Sequence, residues 1–121
     1  YRDLTRTDPK PFILAAIQRN PVSIEGAREM DTDSIVREIA AMPDESIYDE
    51  PGRIAQPDEV WNFGRGDGLE KALLLANILQ SNKPGEKMII QIGDNIVSLE
   101  TVEKKYQFKS RKRLREQRWV I

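Results

Sequence analysis

Residues 63–79 read FGRGDGLEKALLLANIL, and this stretch decides the fold. Asp67 followed three positions later by Glu70 is typical of a capping box, although Ser or Thr is more usual in the first place. The run that follows is otherwise apolar, and the polar residues that interrupt it are Glu70, Lys71 and Asn77. A helix that is apolar on almost every side is buried. The sequence therefore predicts a central helix over 68–79, with the other elements packed around it.

The segment after this helix has the pattern of β-strands. Residues 88–92 (MIIQI) and 96–99 (IVSL) are β-rich runs, joined through Gly93-Asp94-Asn95, which favours a tight hairpin turn. The aromatic residues farther on, Tyr106, Phe108 and Trp119, indicate one or two more strands. Helices followed by antiparallel strands predict an α+β fold, in which the buried central helix packs on a small antiparallel sheet.

The segment before the central helix predicts further helices. Asp8-Pro9 starts a first helix that ends near Asn20-Pro21, and the polar residues at 31–33 cap a second helix that reaches about residue 42. Residues 43–57 are rich in Pro and acidic side chains, which indicates an ordered but irregular crossing. One helical turn from Pro57 then delivers apolar side chains to the core.

Length and composition exclude several classes of chemistry. The 121 residues fit one domain, 1–121, and are 39% apolar and 32% charged, with a net charge of −1. The chain holds neither Cys nor His, so disulfides, zinc knuckles and Ser-His or Cys-His catalysis within it are excluded. No apolar run approaches the roughly 20 residues of a membrane span.

The two ends of the sequence indicate that the domain is excised from a longer chain. It begins on Tyr1 rather than Met and stops on the apolar Trp119-Val120-Ile121. No leader peptide is visible. The absence of Cys suits exported bacterial proteins as well as small cytosolic domains, and we favour an exported or periplasmic protein over a cytoplasmic one.

A Gly-Asp pair opens the central helix, a Pro-Asp-Glu-Val turn at 57–60 precedes it, and a hairpin follows it. Together these features resemble the transglutaminase-like core of the papain-like cysteine proteases. The resemblance covers roughly residues 35–110. In that family a Cys directly after Gly-Asp starts the central helix, a His lies on a following strand, and an Asp on the next strand orients the His. The resemblance implies the same α+β layout here.

Carried over to this chain, the nucleophile position is Gly68, the His position falls at or near Asn95 or Ile96, and the Asp position falls around Phe108 or Lys109. None of these residues is of the catalytic type. The resemblance therefore implies a core without its triad, which serves as a non-catalytic binding or structural module and needs no cofactor. Its partners would be other domains of the same polypeptide or a separate protein.

The start of the central helix is also a candidate anion site, formed by Arg65, Gly66 and Gly68, because free N–H groups and partial positive charge gather at a helix N-terminus. The spacing matches neither the dinucleotide fingerprint nor a Walker loop. Asp67 would repel a phosphate. A glycine-rich turn that feeds a core helix is the interpretation we favour.

Acidic side chains cluster at Asp44, Glu45, Asp49, Glu50, Asp58 and Glu59. Such a cluster could supply a carboxylate pair for an accessory domain of an enzyme that acts on carbohydrate, or oxygen ligands for a hard cation. Arg37, Arg53 and Arg65 are available to neutralise it, so we favour a solvated, salt-bridged surface and predict no metal site.

Basic side chains dominate the C-terminal segment. Residues 1–102 hold 11 basic and 18 acidic side chains, whereas residues 103–121 hold 8 basic and 2 acidic ones. The candidate basic surface comprises Lys109, Arg111, Lys112, Arg113, Arg115 and Arg118. With interleaved aromatic residues it could bind nucleic acid or another anion. Strand alternation would instead divide these residues between faces and leave an ordinary Lys- and Arg-decorated edge, so nucleic acid is not the partner that we favour.

Overall fold

The computed structural model describes residues 10–50, 52–112 and 114–121, and this part of the chain forms helices first and strands second. The helices are α1 (Lys10–Gln18), α2 (Pro21–Gly26), α3 (Thr32–Ala41), α4 (Pro57–Phe63) and α5 (Gly68–Asn82). The strands are β1 (Ile89–Ile92), β2 (Ile96–Glu100), β3 (Lys105–Lys109) and β4 (Gln117–Val120). The predicted α+β fold is confirmed.

Helix α5 lies at the centre of the molecule. Each of its residues from Gly68 to Ile78 is buried. The other four helices pack on it, and β2 and β3 of the sheet cover its remaining side. The predicted central helix is confirmed, and it runs three residues beyond the predicted end, to Asn82.

The four strands form one antiparallel sheet in the order β3-β2-β1-β4. Alternate side chains face the helices, as strand geometry requires. The buried inward-facing residues are Ile90, Ile92, Val97, Leu99, Phe108 and Trp119. The predicted hairpin is present: Gly93 N donates to Ile96 O at 2.8 Å, and Asn95 has a φ of 61°, a conformation that Asn tolerates better than most residues.

The N-terminal helices agree with the prediction except at one element. The proposed cap of the first helix, Asp8-Pro9, lies outside the described residues, and α1 ends at Gln18 as expected. The sequence did not predict α2, which begins at Pro21. Its first turn is held by a residue distant in the chain, because the Asp58 carboxylate accepts hydrogen bonds from Val22 N at 3.1 Å and Ser23 N at 2.7 Å.

The remaining connections place several segments at one end of the sheet. Helix α4 makes about two turns where one was predicted, and residues 43–50 and 52–56, here called segment 43–56, are irregular as expected. Residues 110–112 and 114–116, here called the crossover segment, lie between the end of β3 at one sheet edge and the start of β4 at the other. This segment passes the first turn of α5. Within the described residues, no helix combines the length and the apolar character that crossing a bilayer requires.

Candidate functional site

The N-terminal end of α5 meets the hairpin turn and the end of β3. Ile96 pairs with Lys109 in the sheet register, and Ser110 N donates to Asn95 O at 2.9 Å. Gly68 lies against the last residues of β3. The three positions that the family resemblance assigns to nucleophile, base and orienting residue are therefore neighbours in space.

Gly68 makes an unusually close backbone contact. A Cβ added there would lie 2.9 Å from Lys109 O, 3.0 Å from Ser110 Cβ and 3.1 Å from Phe108 O. Two of these three atoms are backbone oxygens of a paired strand, which cannot rotate away. The glycine allows α5 to begin directly beneath β3, and it leaves no space for a side chain.

Asp67, the residue before α5, ties the crossover segment to the helix. Its buried carboxylate accepts hydrogen bonds from Ser110 Oγ at 2.7 Å and from the backbone nitrogens of Arg111 at 2.7 Å and Lys112 at 3.4 Å. Donors of this kind satisfy a buried carboxylate without a cation.

Glu70, in the first turn of α5, holds the irregular segment 43–56 from the other side. One carboxylate oxygen accepts from Ser46 Oγ and Ala55 N, both at 2.7 Å, and the other accepts from Asp67 N at 2.8 Å. The last bond is the Glu half of the predicted capping box. Glu70 is fully buried, and this burial raises the pKa of its carboxyl above the usual value despite the three donors.

Lys71 is an ammonium group buried beside the same segment. Its side chain is 1% exposed, and Nζ donates to Met42 O at 2.6 Å and to Asp44 Oδ1 at 2.7 Å. Met42 is the C-cap residue directly after α3, where free carbonyls attract a cation. Lys71 therefore joins the end of α3 and the start of segment 43–56 to the central helix.

Tyr48 and its neighbours complete the wall of this region. The Tyr48 hydroxyl donates to Glu59 Oε2, and this hydrogen bond raises the pKa of the phenol. The Arg53 guanidinium lies 3.9 Å from the centroid of the Tyr48 ring, a cation–π contact. Lys112 Nζ donates to Tyr48 O at 3.1 Å and to Glu50 O at 2.7 Å. These two bonds hold the crossover segment against segment 43–56.

Two open clefts flank the start of α5. The first, of about 420 Å³, lies between segment 43–56 and the crossover segment and is lined by Asp44, Glu45, Ser46, Tyr48, Asp49, Asp67, Arg111 and Lys112. The second, of about 660 Å³, lies beside the hairpin and is lined by Asp94, Asn95, Ile96, Gln107, Phe108, Lys109, Ser110 and Arg111.

The predicted anion site is not an open surface at its glycines. Gly66 and Gly68 are buried, and Arg65 is paired with Glu45 at 3.8 Å. Gly66 N donates to Pro43 O at 3.2 Å. Anion binding by this loop stays a prediction, and these contacts favour the interpretation as a turn that feeds the core helix.

The predicted acidic cluster is divided among structural roles. Asp58 caps α2, Glu59 binds the Tyr48 hydroxyl, and Asp44 pairs with Lys71. Among the three expected arginines, Arg65 forms an ion pair with Glu45, a carboxylate of the cluster. No group of three acidic side chains in the described residues is placed to hold a metal ion.

The described residues of the predicted basic surface lie on different elements. Lys109 and Arg118 lie exposed on the two edge strands, whereas Arg111, Lys112 and Arg115 belong to the crossover segment, and Arg113 lies outside the described residues. The inner faces of the strands carry Tyr106, Phe108 and Trp119, which face the helices. Lys105 and Lys109 on β3 and Arg118 on β4 agree with basic decoration of sheet edges.

Sequence reasoning missed the serines and the lysine that organise this end. Ser46 and Ser110 bind buried carboxylates, and Lys71 is buried rather than exposed. The only sequence signal for Lys71 was its position inside an apolar helix; neither serine carried one. Comparison with protein-family models, curated proteins and solved structures gives no significant match.

Proposed function

We propose that this chain is a non-catalytic binding or structural module, built on a transglutaminase-like core that has lost its triad. Support comes from the neighbouring positions of Gly68, Asn95, Ile96 and Lys109 at one end of α5. These are the positions that the resemblance assigns to the catalytic groups. None of them carries a thiol, an imidazole or a carboxylate.

The observation that carries the proposal is the closure of the nucleophile position. A substituent at Gly68 would meet the carbonyl oxygens of Lys109 and Phe108 at 2.9 and 3.1 Å. A nucleophile needs a side chain that can approach the acyl carbon and a base that removes its proton. Here β3 occupies the space of the first, and the sequence has no imidazole for the second.

The buried polar groups at the N-terminal end of α5 instead hold segments of the fold together. Asp67, Glu70 and Lys71 direct their hydrogen bonds into the crossover segment, segment 43–56 and the end of α3. Each of these three side chains is at most 1% exposed, so little of their charge is offered to a ligand. The charges that remain accessible lie on the walls of the two clefts, where another domain or a protein partner can reach them.

An accessory domain of a carbohydrate-active enzyme is the alternative with an observation in its favour, because four carboxylates line the first cleft. Asp44 and Asp67 are bonded within the chain, and Glu45 pairs with Arg65. Glu45 and Asp49 are exposed to solvent, whereas the general acid of a glycosidase lies in an apolar pocket. The cleft is therefore better suited to contact than to hydrolysis.

Incorporation of a fluorescent primary amine into a glutamine-containing protein tests the proposal directly. We expect the purified chain to give the signal of the buffer alone, next to an active transglutaminase as positive control. Turnover above the buffer signal, reproduced in independently purified samples, would show that the chain is an enzyme and would refute the proposal.

A further inference from the structure

The second cleft combines an apolar floor with two cations. Ile96 is 44% exposed there, and its register partner on the neighbouring strand is Lys109. Arg111 follows two residues later at the start of the crossover segment. The cleft volume of about 660 Å³ is in the range of ligand sites, which run from roughly 300 to 1,000 Å³.

The two cations are available to a ligand. Within residues 10–50, 52–112 and 114–121, no carboxylate lies within ion-pair distance of Lys109 or of the Arg111 guanidinium. The backbone of Arg111 is fixed, because its nitrogen donates to the buried Asp67 at 2.7 Å. A fixed backbone reduces the entropy that Arg111 loses when its fork binds a carboxylate in two-point fashion.

We infer that this cleft docks an acidic segment of a protein partner, with carboxylates on Lys109 and Arg111 and an aliphatic side chain on Ile96. The inference rests on the proposed function and gives it a location and a partner chemistry. Charge complementarity selects the partner: only Asp94 among the residues lining the cleft is acidic, and it lies at the hairpin tip.

The same cleft is less suited to nucleic acid. Single-stranded nucleic acids gain much of their affinity by stacking bases on exposed rings. Phe108, the aromatic residue at this cleft, is 6% exposed, and Trp119 on the far edge strand is 7% exposed. An exposed Ile96 provides contact for an aliphatic side chain and has no counterpart on a phosphate backbone.

Fluorescence anisotropy with a short labelled peptide of alternating Glu and Val tests the inference. The decisive variant is Lys109→Glu with Arg111→Glu. Its matched control is Lys105→Glu with Arg118→Glu, which changes the net charge equally at exposed residues that do not line the cleft. We expect the first pair to weaken binding about tenfold or more, equivalent to roughly 1.4 kcal/mol, and the control pair to weaken it less than about threefold.

Three further measurements complete the test. Circular dichroism should show that both double variants are folded, and the same peptide with Gln in place of Glu should bind far more weakly. Ile96→Ser should weaken binding of the Glu-Val peptide and leave binding of a Glu-Ser peptide unchanged. Affinity for the Glu-Val peptide should fall as salt is added.

Several results would overturn the inference: no saturable binding of the Glu-Val peptide, equal losses in both double variants, or equal binding of the Gln peptide. Tighter binding of a single-stranded RNA with the same dependence on Lys109 and Arg111 would reassign the cleft to nucleic acid. These failures are separable from failure of the proposed function, because that proposal fails only through turnover in the amine-incorporation assay.

Discussion

Gly68 at the start of α5 lies directly beneath the carbonyl group of Lys109, so that a Cβ on the glycine would be 2.9 Å from the oxygen. The residue is not needed here for an unusual backbone angle, since its φ is not among the positive values in the chain. It is needed because a helix start and a strand end approach each other more closely than a side chain permits.

Gly68→Ala and Gly68→Cys should both destabilise the fold, by about 1 to 3 kcal/mol, the usual cost of overpacking. Urea denaturation measures the loss. Gly93→Ala is the matched control, because a Cβ there has its nearest neighbour at an ordinary 3.6 Å, and a change within about 0.5 kcal/mol is expected. Equal stability of Gly68→Ala and the parent chain would contradict the close packing of α5 on β3.

Gly68→Cys should also fail to create acyl transfer. The thiol would lack an imidazole partner, because the chain has no His, and nothing would protonate the leaving group. The amine-incorporation assay should stay at the level of the buffer. Activity gained by this single substitution would mean that another residue at the end of α5 supplies a base.

The hydrophobic contribution of α5 is tested by Leu73→Ala and Leu75→Ala. Both leucines are completely buried, and truncation should cost about 2 to 5 kcal/mol each. Val102→Ala serves as the control, because Val102 is 80% exposed. Thermal melts of both leucine variants that coincide with the parent would show that α5 is not the core helix.

The central helix and the hairpin could be predicted because their signals are local. The central helix is indicated by the capping-box pair Asp67 and Glu70 and the apolar run that follows. The hairpin is indicated by the two β-rich runs on either side of Gly93. Helix α2 could not be predicted in this way. Its first turn is held by the carboxylate of Asp58, some 35 residues away in the chain, so the element depends on a tertiary contact.

The polar residues of α5 show the same limit. A nearly continuous apolar run identifies the helix, and it says nothing of what its polar positions contact. Glu70 and Lys71 are buried and bonded to segment 43–56, and Lys71 also to Met42 O. Asn77 donates to Asn20 O at 2.9 Å and Ser23 Oγ at 2.8 Å. The candidate site is made of such pairings, which arise only when the segments are assembled.

The buried carboxyl of Glu70 gives a stability that depends on pH. Burial raises the pKa of Glu70, so the folded state binds this proton more tightly than the unfolded chain does. The corresponding stabilisation is present at acidic pH and is lost as the pH rises through the raised pKa. In Glu70→Gln the side chain at position 70 does not titrate. Its amide N–H group would face the existing donors, which should lower the free energy of unfolding by about 1 to 3 kcal/mol.

Urea denaturation measured from about pH 4 to pH 8 tests this dependence. The free energies of unfolding of the parent chain and of Glu70→Gln should converge as the pH rises above about 4.3, the ordinary pKa of Glu. Glu116→Gln, at an exposed position, is the control for the removal of one carboxyl group. A gap between parent and Glu70→Gln that widens toward neutral pH would mean that the three hydrogen bonds outweigh burial and stabilise the charged carboxylate.

The pair of Lys71 and Asp44 should behave as one unit. Asp44→Asn leaves the Lys71 ammonium, 1% exposed, without its counter-charge. Loss of one partner of a buried pair costs about 3 to 5 kcal/mol. Since the Asp44 side chain is 33% exposed, we expect a loss at or below the lower limit. Lys71→Met with Asp44→Asn should be more stable than the sum of the single losses predicts, and strict additivity in the double-mutant cycle would contradict direct coupling.

Nucleic-acid binding distinguishes a basic interface from ordinary decoration of the sheet edges. Lys105, Lys109 and Arg118 are exposed, yet they lie on strands at opposite edges of the sheet, and residues 1–102 carry a net charge of −7 that repels a polyanion. We expect no submicromolar affinity for single-stranded or duplex DNA or RNA at physiological salt. Binding at low salt should not depend on base sequence. In a plot of the logarithm of the binding constant against the logarithm of salt concentration, each phosphate contact should contribute a slope of roughly −0.7 to −0.9. Anisotropy titrations with labelled oligonucleotides over a salt series measure both quantities. Tight binding at physiological salt that Lys109→Glu with Arg111→Glu abolishes would make nucleic acid the partner of this chain.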